Sequence, residues 1–184
     1  YLQEIMSYLD LFGSIKAFVF DVDGVLTNGQ VVLLPDGQQM RQMHSKDGYA
    51  LQLAVKKGYH VCIITGGNSV QVKERLTALG ITDIYLKSSH KDEAMSDFMF
   101  SHDLKSEEII YMGDDIPDIP AMQMIGLPTC PSDASPEIKN ICQFISKKNG
   151  GEGCVRDIIE QIMRSHRKWY NHEQNLDNLA EFTW

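Results

Sequence analysis

The sequence contains no apolar run near the roughly 20 residues that a membrane helix needs, which excludes a helical membrane span. Its start, Tyr1 to Leu11, carries Gln3, Glu4 and Asp10 rather than a basic stretch followed by an apolar one, so a cytoplasmic protein is expected. Cys62, Cys130, Cys142 and Cys154 are widely spaced with no C-x-x-C pair, which argues against a zinc or redox motif and for reduced core residues. The six histidines likewise lack the spacing of a metal site. Positive charge is scarce: the formal net charge of −8 opposes nucleic-acid binding, whose affinity comes mostly from Lys and Arg on phosphates. It also means that an anionic substrate needs a local cation. There is no internal repeat, low-complexity segment or Pro/Gly/Ser linker, so one domain over residues 1–184 is expected, with its core at about 15–166 and a tail at 167–184.

What is present is a series of short, nearly continuous apolar runs of the kind buried on both faces of a sheet. The first, Lys16-Ala17-Phe18-Val19-Phe20, ends in Asp21; further runs occupy residues 60–65, 84–86, 109–114, 127–130 and 144–145. Helical spacing fills the gaps at 48–57, 68–79, 91–102, 117–125 and 152–167. Alternating strands and helices imply an α/β, doubly wound, Rossmann-like and mostly parallel sheet, which binds ligands at the carboxyl ends of its strands. One stretch breaks the alternation. Residues 30–34, the turn Pro35-Asp36-Gly37 and residues 38–44 predict a β-hairpin flap beside the end of the first strand. The tail shows no clear periodicity, and its Trp169, Tyr170, Phe182 and Trp184 are expected either to pack on a neighbouring subunit or to stay without fixed structure.

Phe20-Asp21-Val22-Asp23-Gly24 places two carboxylates two apart where a strand ends, an arrangement that invites a divalent cation. A carboxylate that attacks a phosphate ester meets charge repulsion. A hard, oxygen-ligated Mg²⁺ bridging Asp21 and the phosphoryl oxygen would cancel it, and Asp23 is placed to act as general acid and then base. Met112-Gly113-Asp114-Asp115-Ile116-Pro117-Asp118 supplies three more carboxylates at another strand end, with Asp114 as the best direct ligand. Thr65-Gly66-Gly67-Asn68 offers a hydroxyl and glycine amides before a helix, which suits phosphoryl oxygens. Lys91 would add a point positive charge.

Each of these signals has a plain structural reading when taken alone. A lone DxD is usually solvated, Asp115 and Asp118 are suited to capping the following helix, and Arg75, beside Lys73 and Glu74, reads as a surface side chain. In order along the chain, however, they resemble the four motifs of the haloacid dehalogenase superfamily: DxD, Thr, Lys and GDDxxD, over Phe18 to Asp118. The resemblance implies Asp21 as nucleophile, Asp23 as general acid/base and as a magnesium ligand through its carbonyl, and Asp114 as carboxylate ligand. It implies that Thr65 and Lys91 hold the phosphoryl group, that Asp115 supports a metal-bound water and that Asp118 orients Lys91 or Thr65. An acid two residues after the nucleophile favours phosphoryl transfer over dehalogenation.

Only 44 positions separate Asp21 from Thr65 and 26 separate Thr65 from Lys91, too few for an inserted cap domain. A capless enzyme needs another means of excluding water, so a homotetramer is expected. Within the superfamily the hairpin, the stretch His44–Ala50 and Gly150–Ile159 look like 3-deoxy-D-manno-octulosonate 8-phosphate phosphatases. That likeness implies a small phosphorylated sugar acid of lipopolysaccharide synthesis as substrate, with Arg75 and, less directly, Lys46 as its basic contacts. It includes phosphatases of the related nine-carbon substrate and the phosphatase-like domain of some sialic-acid nucleotidyltransferases. The sequence departs from the pattern at Gly67, where Arg or Glu is common, and at His90, where Asp is common. Two other classes compete: a receiver-type signalling module, against which the motif order argues, and a non-catalytic phosphatase-like scaffold.

Overall fold

The computed structural model describes residues 10–171 and 179–184. Six strands form the main sheet: β1 (Ala17–Phe20), β4 (His60–Ile64), β5 (Asp83–Tyr85), β6 (Ile109–Met112), β7 (Leu127–Cys130) and β8 (Phe144–Ile145). Their order is β5-β4-β1-β6-β7-β8, and every pairing is parallel. β1 is therefore the strand from which the chain first winds one way, through β4 and β5, and then the other, through β6 to β8. Such a reversal opens a crevice at the carboxyl ends of β1 and its neighbours.

Alternation along each strand divides the core into two layers. Phe18 and Phe20 of β1, with Val61 and Ile63 of β4 and Ile110 and Met112 of β6, face one side. That side is covered by α1 (Ser45–Lys56), α2 (Val70–Ala78) and α6 (Cys154–Ser165), with α1 and α6 packed on each other. Ala17, Val19, Cys62, Ile64, Ile109 and Tyr111 face the other side, against α3 (Lys91–Ser101), α4 (Ile119–Met122) and α5 (Pro136–Ile141). Each fully buried Phe, Leu or Ile contributes about 1.5–3 kcal/mol, which is why these runs carry almost no polar residue. Cys62, Cys130 and Cys154 are buried, Cys142 is half-buried and all four are free thiols. Among the described residues no helix is long and apolar enough to cross a membrane.

The predicted hairpin forms as a short antiparallel pair, β2 (Val32–Leu33) with β3 (Gln39–Met40). Gly37, at φ +83°, turns the chain, and Asp36 Oδ1 accepts from the Gln38 amide at 3.0 Å.

Three elements differ from the sequence reading. Residues 117–125 do not make one helix. Asp115 caps a single tight turn, Ile116–Asp118, and the short α4 follows it, because Pro117 and Pro120 remove two backbone donors from the segment. α5 was not anticipated, although Ser135-Pro136 is a helix start signal. The described part of the tail also has fixed structure, and it packs within its own chain. Trp169 is buried in the core beside Tyr49, Trp184 meets Tyr49 at 5.6 Å between ring centroids, and Tyr49 donates to the Phe182 carbonyl at 2.8 Å. Residues 172–178 of the tail, and 1–9 at the start, lie outside the described residues.

Candidate active site

Five of the sequence-predicted residues meet in the crevice above β1. Asp21 follows β1 directly and is 5% exposed; Lys91 begins α3 and is 6% exposed; Asp118 is 1% exposed. Lys91 Nζ lies 2.6 Å from Asp118 Oδ1 and 3.0 Å from Asp21 Oδ1, so one ammonium bridges two carboxylates. Asp114, just beyond β6, brings a carboxylate oxygen into a cluster with Asp21 and Asp118 in which all three lie within 4.8 Å of one another. Thr65, 3% exposed, directly follows β4 and accepts from the Gly67 amide at 3.1 Å.

Asp118 has its acceptor capacity filled. Oδ1 takes Lys91 and the Tyr111 hydroxyl at 2.9 Å, and Oδ2 takes the Asp114 and Asp115 amides at 3.1 and 3.4 Å. A carboxylate offers about four lone-pair sites, so Asp118 is a fixed anchor, and Asp21 and Asp114 are the members with oxygens free for a cation. Asp115 is exposed and accepts from the Ile116 amide at 2.8 Å, capping the turn that follows.

Three carboxylates and one ammonium leave this pocket with a formal excess of two negative charges. The consequence appears in the titration of the two uncommitted acids. Burial first, and then the charge of Asp118, raises Asp21 from 3.8 to about 7 against the opposing pull of Lys91. Burial, Asp21 and Asp118 raise Asp114 to about 7 as well. Lys91 moves the other way in charge terms: burial disfavours its ammonium, but Asp21 and Asp118 outweigh burial and its pKa rises. The ammonium is thus secure while the two acids resist joint ionisation. An all-oxygen donor set that is short of two positive charges fits a hard divalent cation of the magnesium type.

The loop after β1 is shaped for this cluster. Gly24 has φ +98°, and a β-carbon there would stand 2.0 Å from Asp114 Oδ2, so the carboxylate occupies the space a side chain would fill. Beneath the loop, the Gly151 amide donates to the Val25 carbonyl at 2.9 Å, and a β-carbon at Gly150 would come within 1.9 Å of the Gly24 carbonyl oxygen. Asp47, buried at the start of α1, accepts from the Arg156 amide at 2.7 Å, and so caps α6 from another helix.

Two participants were missed by sequence reasoning. Arg41, directly after β3, donates from Nε to Asp23 Oδ1 at 2.6 Å and from Nη2 to Asp23 Oδ2 at 3.0 Å. Tyr111 supports Asp118; its place inside a strand run made it look like core alone. A β-carbon at Gly67 would stand 3.4 Å from Thr65 Oγ1, 3.7 Å from Asp23 Oδ2 and 3.8 Å from Arg41 Nη2, so these groups surround one open point. Gly66, next to it, is exposed with open space around it. Arg75 is not part of the carboxylate cluster. Its guanidinium reaches toward Gly48 of α1, sits 5.9 Å from the Trp184 ring centroid, and lines a groove between the hairpin and α2 together with Arg41. Lys46 is exposed on the first turn of α1.

Residues 78–158 match the family of haloacid dehalogenase-like hydrolases. The 3-deoxy-D-manno-octulosonate 8-phosphate phosphatase of Escherichia coli K12 is 32% identical over 155 residues, which cover 84% of this chain and 82% of the relative. The chain belongs to this phosphatase family of haloacid dehalogenase-like hydrolases. Two solved family members superpose closely. The Moraxella catarrhalis phosphatase, in complex with magnesium, phosphate and 3-deoxy-D-manno-octulosonate (KDO), has a TM-score of 0.85 at 28% identity, covering 96% of this chain and 98% of that one. The cobalt-bound phosphatase of Haemophilus influenzae has a TM-score of 0.84 at 27% identity, covering 94% and 98%. The TM-scores show that the fold is shared over nearly the whole length of these chains.

Proposed function

We propose that the chain is a magnesium-dependent phosphatase that hydrolyses 3-deoxy-D-manno-octulosonate 8-phosphate to the free sugar acid and phosphate, in lipopolysaccharide precursor synthesis. The observation that carries this reading is the cluster itself: Asp21 at the crevice floor, bridged by Lys91 to Asp118, with Asp114 beside it and a charge deficit matched to a divalent cation. Asp21, Asp114 and the Asp23 carbonyl would hold Mg²⁺, which when bound neutralises charge between Asp21 and the phosphoryl group.

An Asp21 carboxylate oxygen then bonds to phosphorus as the ester P–O bond breaks, and Asp23 gives its proton to the leaving oxygen. In the second half Asp23 takes a proton from water, whose oxygen bonds to phosphorus while the aspartyl P–O bond breaks and Asp21 recovers its carboxylate. Lys91 and Thr65, with the Gly66 amide, hold the phosphoryl oxygens, and Asp118 and Tyr111 fix the position of Lys91. Arg75 borders the groove that the sugar acid would enter. Lys46 suits a site completed by a neighbouring subunit.

The whole chain is read as one cytoplasmic domain that assembles as a homotetramer. Support for assembly comes from the hairpin, where Val32, Leu33 and Met40 expose 51%, 75% and 49% of their surface. The substrate assignment is tested by phosphate release from the eight-carbon ester and its nine-carbon analogue, each with Mg²⁺ and with EDTA. A strong preference for the eight-carbon ester, lost in EDTA, is expected. Preference for the nine-carbon ester would reassign the substrate, and no turnover of any phosphate monoester would favour a non-catalytic scaffold.

A further inference from the structure

The proposed acid/base of the reaction is engaged by an arginine of the hairpin. Arg41 grips both carboxylate oxygens of Asp23, at 2.6 and 3.0 Å, and the Thr27 hydroxyl lies 3.5 Å from the same Oδ1. A bidentate guanidinium–carboxylate pair is among the stronger side-chain interactions, and both its oxygens are occupied by donors. A carboxylate in that grip spends a lone pair of each oxygen on the guanidinium and is oriented toward it rather than toward a leaving group. Nothing in the fold requires this pairing: Arg41 comes from the hairpin, which pairs in its own two-stranded sheet and not with the main sheet. Gln39 Oε1, 3.2 Å from Arg41 Nη2, gives the guanidinium a second acceptor on the hairpin itself. Arg41 also lines the groove between the hairpin and α2, where Gln38, Gln39, Ser69, Gln71 and Arg75 supply polar groups. Gly67 adds no side chain beside the Asp23–Arg41 pair, where a β-carbon would stand 3.7 Å from Asp23 Oδ2 and 3.8 Å from Arg41 Nη2.

Resting on the phosphatase reading above, we propose that Arg41 is a latch on Asp23 that the substrate's own anion opens. A carboxylate on the leaving-group half of a phosphate monoester, entering the groove, takes the guanidinium in place of Asp23. Asp23 is then free to accept and deliver a proton at the ester oxygen. Recognition of the acid and readiness for proton transfer become one event, and a neutral sugar phosphate that binds equally well in the phosphoryl pocket is turned over slowly because the latch stays shut. Arg41 is thus a positioning and specificity residue for the reaction. It acts on the leaving-group side, whereas Lys91 acts on the phosphoryl side.

The test compares a matched pair of esters, 6-phosphogluconate and sorbitol 6-phosphate, which differ in a carboxylate against a hydroxymethyl group, beside the eight-carbon ester. Wild type should favour the carboxylated member of the pair at least tenfold in kcat/KM. In Arg41→Gln the preference should collapse, with kcat/KM falling tenfold or more for both carboxylated esters while kcat for sorbitol 6-phosphate rises severalfold. Arg41→Lys, which keeps the charge but not the two-pronged grip, should restore part of the preference. Equal losses on all esters in Arg41→Gln, or an unchanged preference, would overturn the latch and leave the phosphatase reading standing. Failure of wild type to hydrolyse these esters and p-nitrophenyl phosphate alike would overturn both.

Discussion

Asp118 illustrates how one buried acid sets the properties of its neighbours. It gathers four donors, among them the Lys91 ammonium, and presents a fixed negative charge to Asp21 and Asp114. Replacing it with alanine would leave that ammonium buried with only Asp21 for company, a change that costs about 3–5 kcal/mol when one partner of a buried pair is removed. Asp118→Ala should therefore lower stability by about that amount in urea unfolding and reduce turnover, whereas Asp115→Ala, which removes an exposed cap, should cost about 0.5–2 kcal/mol of stability.

The acids of the cluster also give a pH prediction. Asp21 and Asp114 titrate near 7 in the folded protein against an ordinary 3.8, so the folded state holds more protons between those values. Stability of the metal-free protein should then fall as pH rises from about 4 to 7 and level off above, the opposite of a salt-bridged carboxylate. Magnesium binds the ionised acids, so its stabilising effect in thermal melts should be larger at pH 8 than at pH 5. Equal shifts at both pH values would show that these acids do not hold the cation.

Asp21, Thr65 and Asp114 were legible because each follows or closes an apolar run and a parallel sheet gathers those ends, and Lys91 because it opens the helical spacing after the third run. Arg41 was not, because its partner lies 18 positions away across a turn whose geometry no periodicity encodes.

At the scale of elements, the site depends on loops that hold one another. The Gly150-Gly151 segment presses against the Gly24 and Thr27 backbone, and α6 behind it is capped by Asp47 of α1. A methyl group at Gly150 has nowhere to go but into the Gly24 carbonyl, so Gly150→Ala must displace the loop that carries Asp23. The expected outcome is a loss of magnesium affinity together with about 1–3 kcal/mol of stability, seen by calorimetry and metal titration. Retention of wild-type magnesium affinity would show that the loop tolerates displacement.

The sequence shows such glycines but not what they touch, since a close backbone approach is a tertiary fact. The same holds for α1. Its helical spacing was readable from 48, yet the helix begins at Ser45, and the buried role of Asp47 follows from α6, over 100 positions away. The tail aromatics lacked periodicity for a related reason: they fit a surface made by Tyr49, Lys56 and Lys57 on α1 and do not form a face of their own.

For the whole molecule, the sheet places every proposed reacting group at one rim, and the hairpin overhangs that rim from outside the sheet. Its exposed Leu33 and Val32 are poorly suited to water, and burial between subunits would remove that surface while closing the crevice. If the proposed homotetramer uses this face, Leu33→Asp should dissociate it in sedimentation experiments while the far-UV circular dichroism stays native. An unchanged sedimentation coefficient would remove the support that the hairpin gives to assembly.

Transfer of the phosphoryl group from a sugar-acid phosphate to Asp21 is tested most directly by mixing the enzyme with the eight-carbon ester and Mg²⁺, quenching in acid within one turnover, and locating any added phosphoryl group by peptide mass spectrometry. One phosphoryl group is expected on the peptide containing Asp21, absent in Asp21→Asn, whose turnover is abolished. Full phosphate release from Asp21→Asn, with no phosphorylated peptide in wild type, would contradict it.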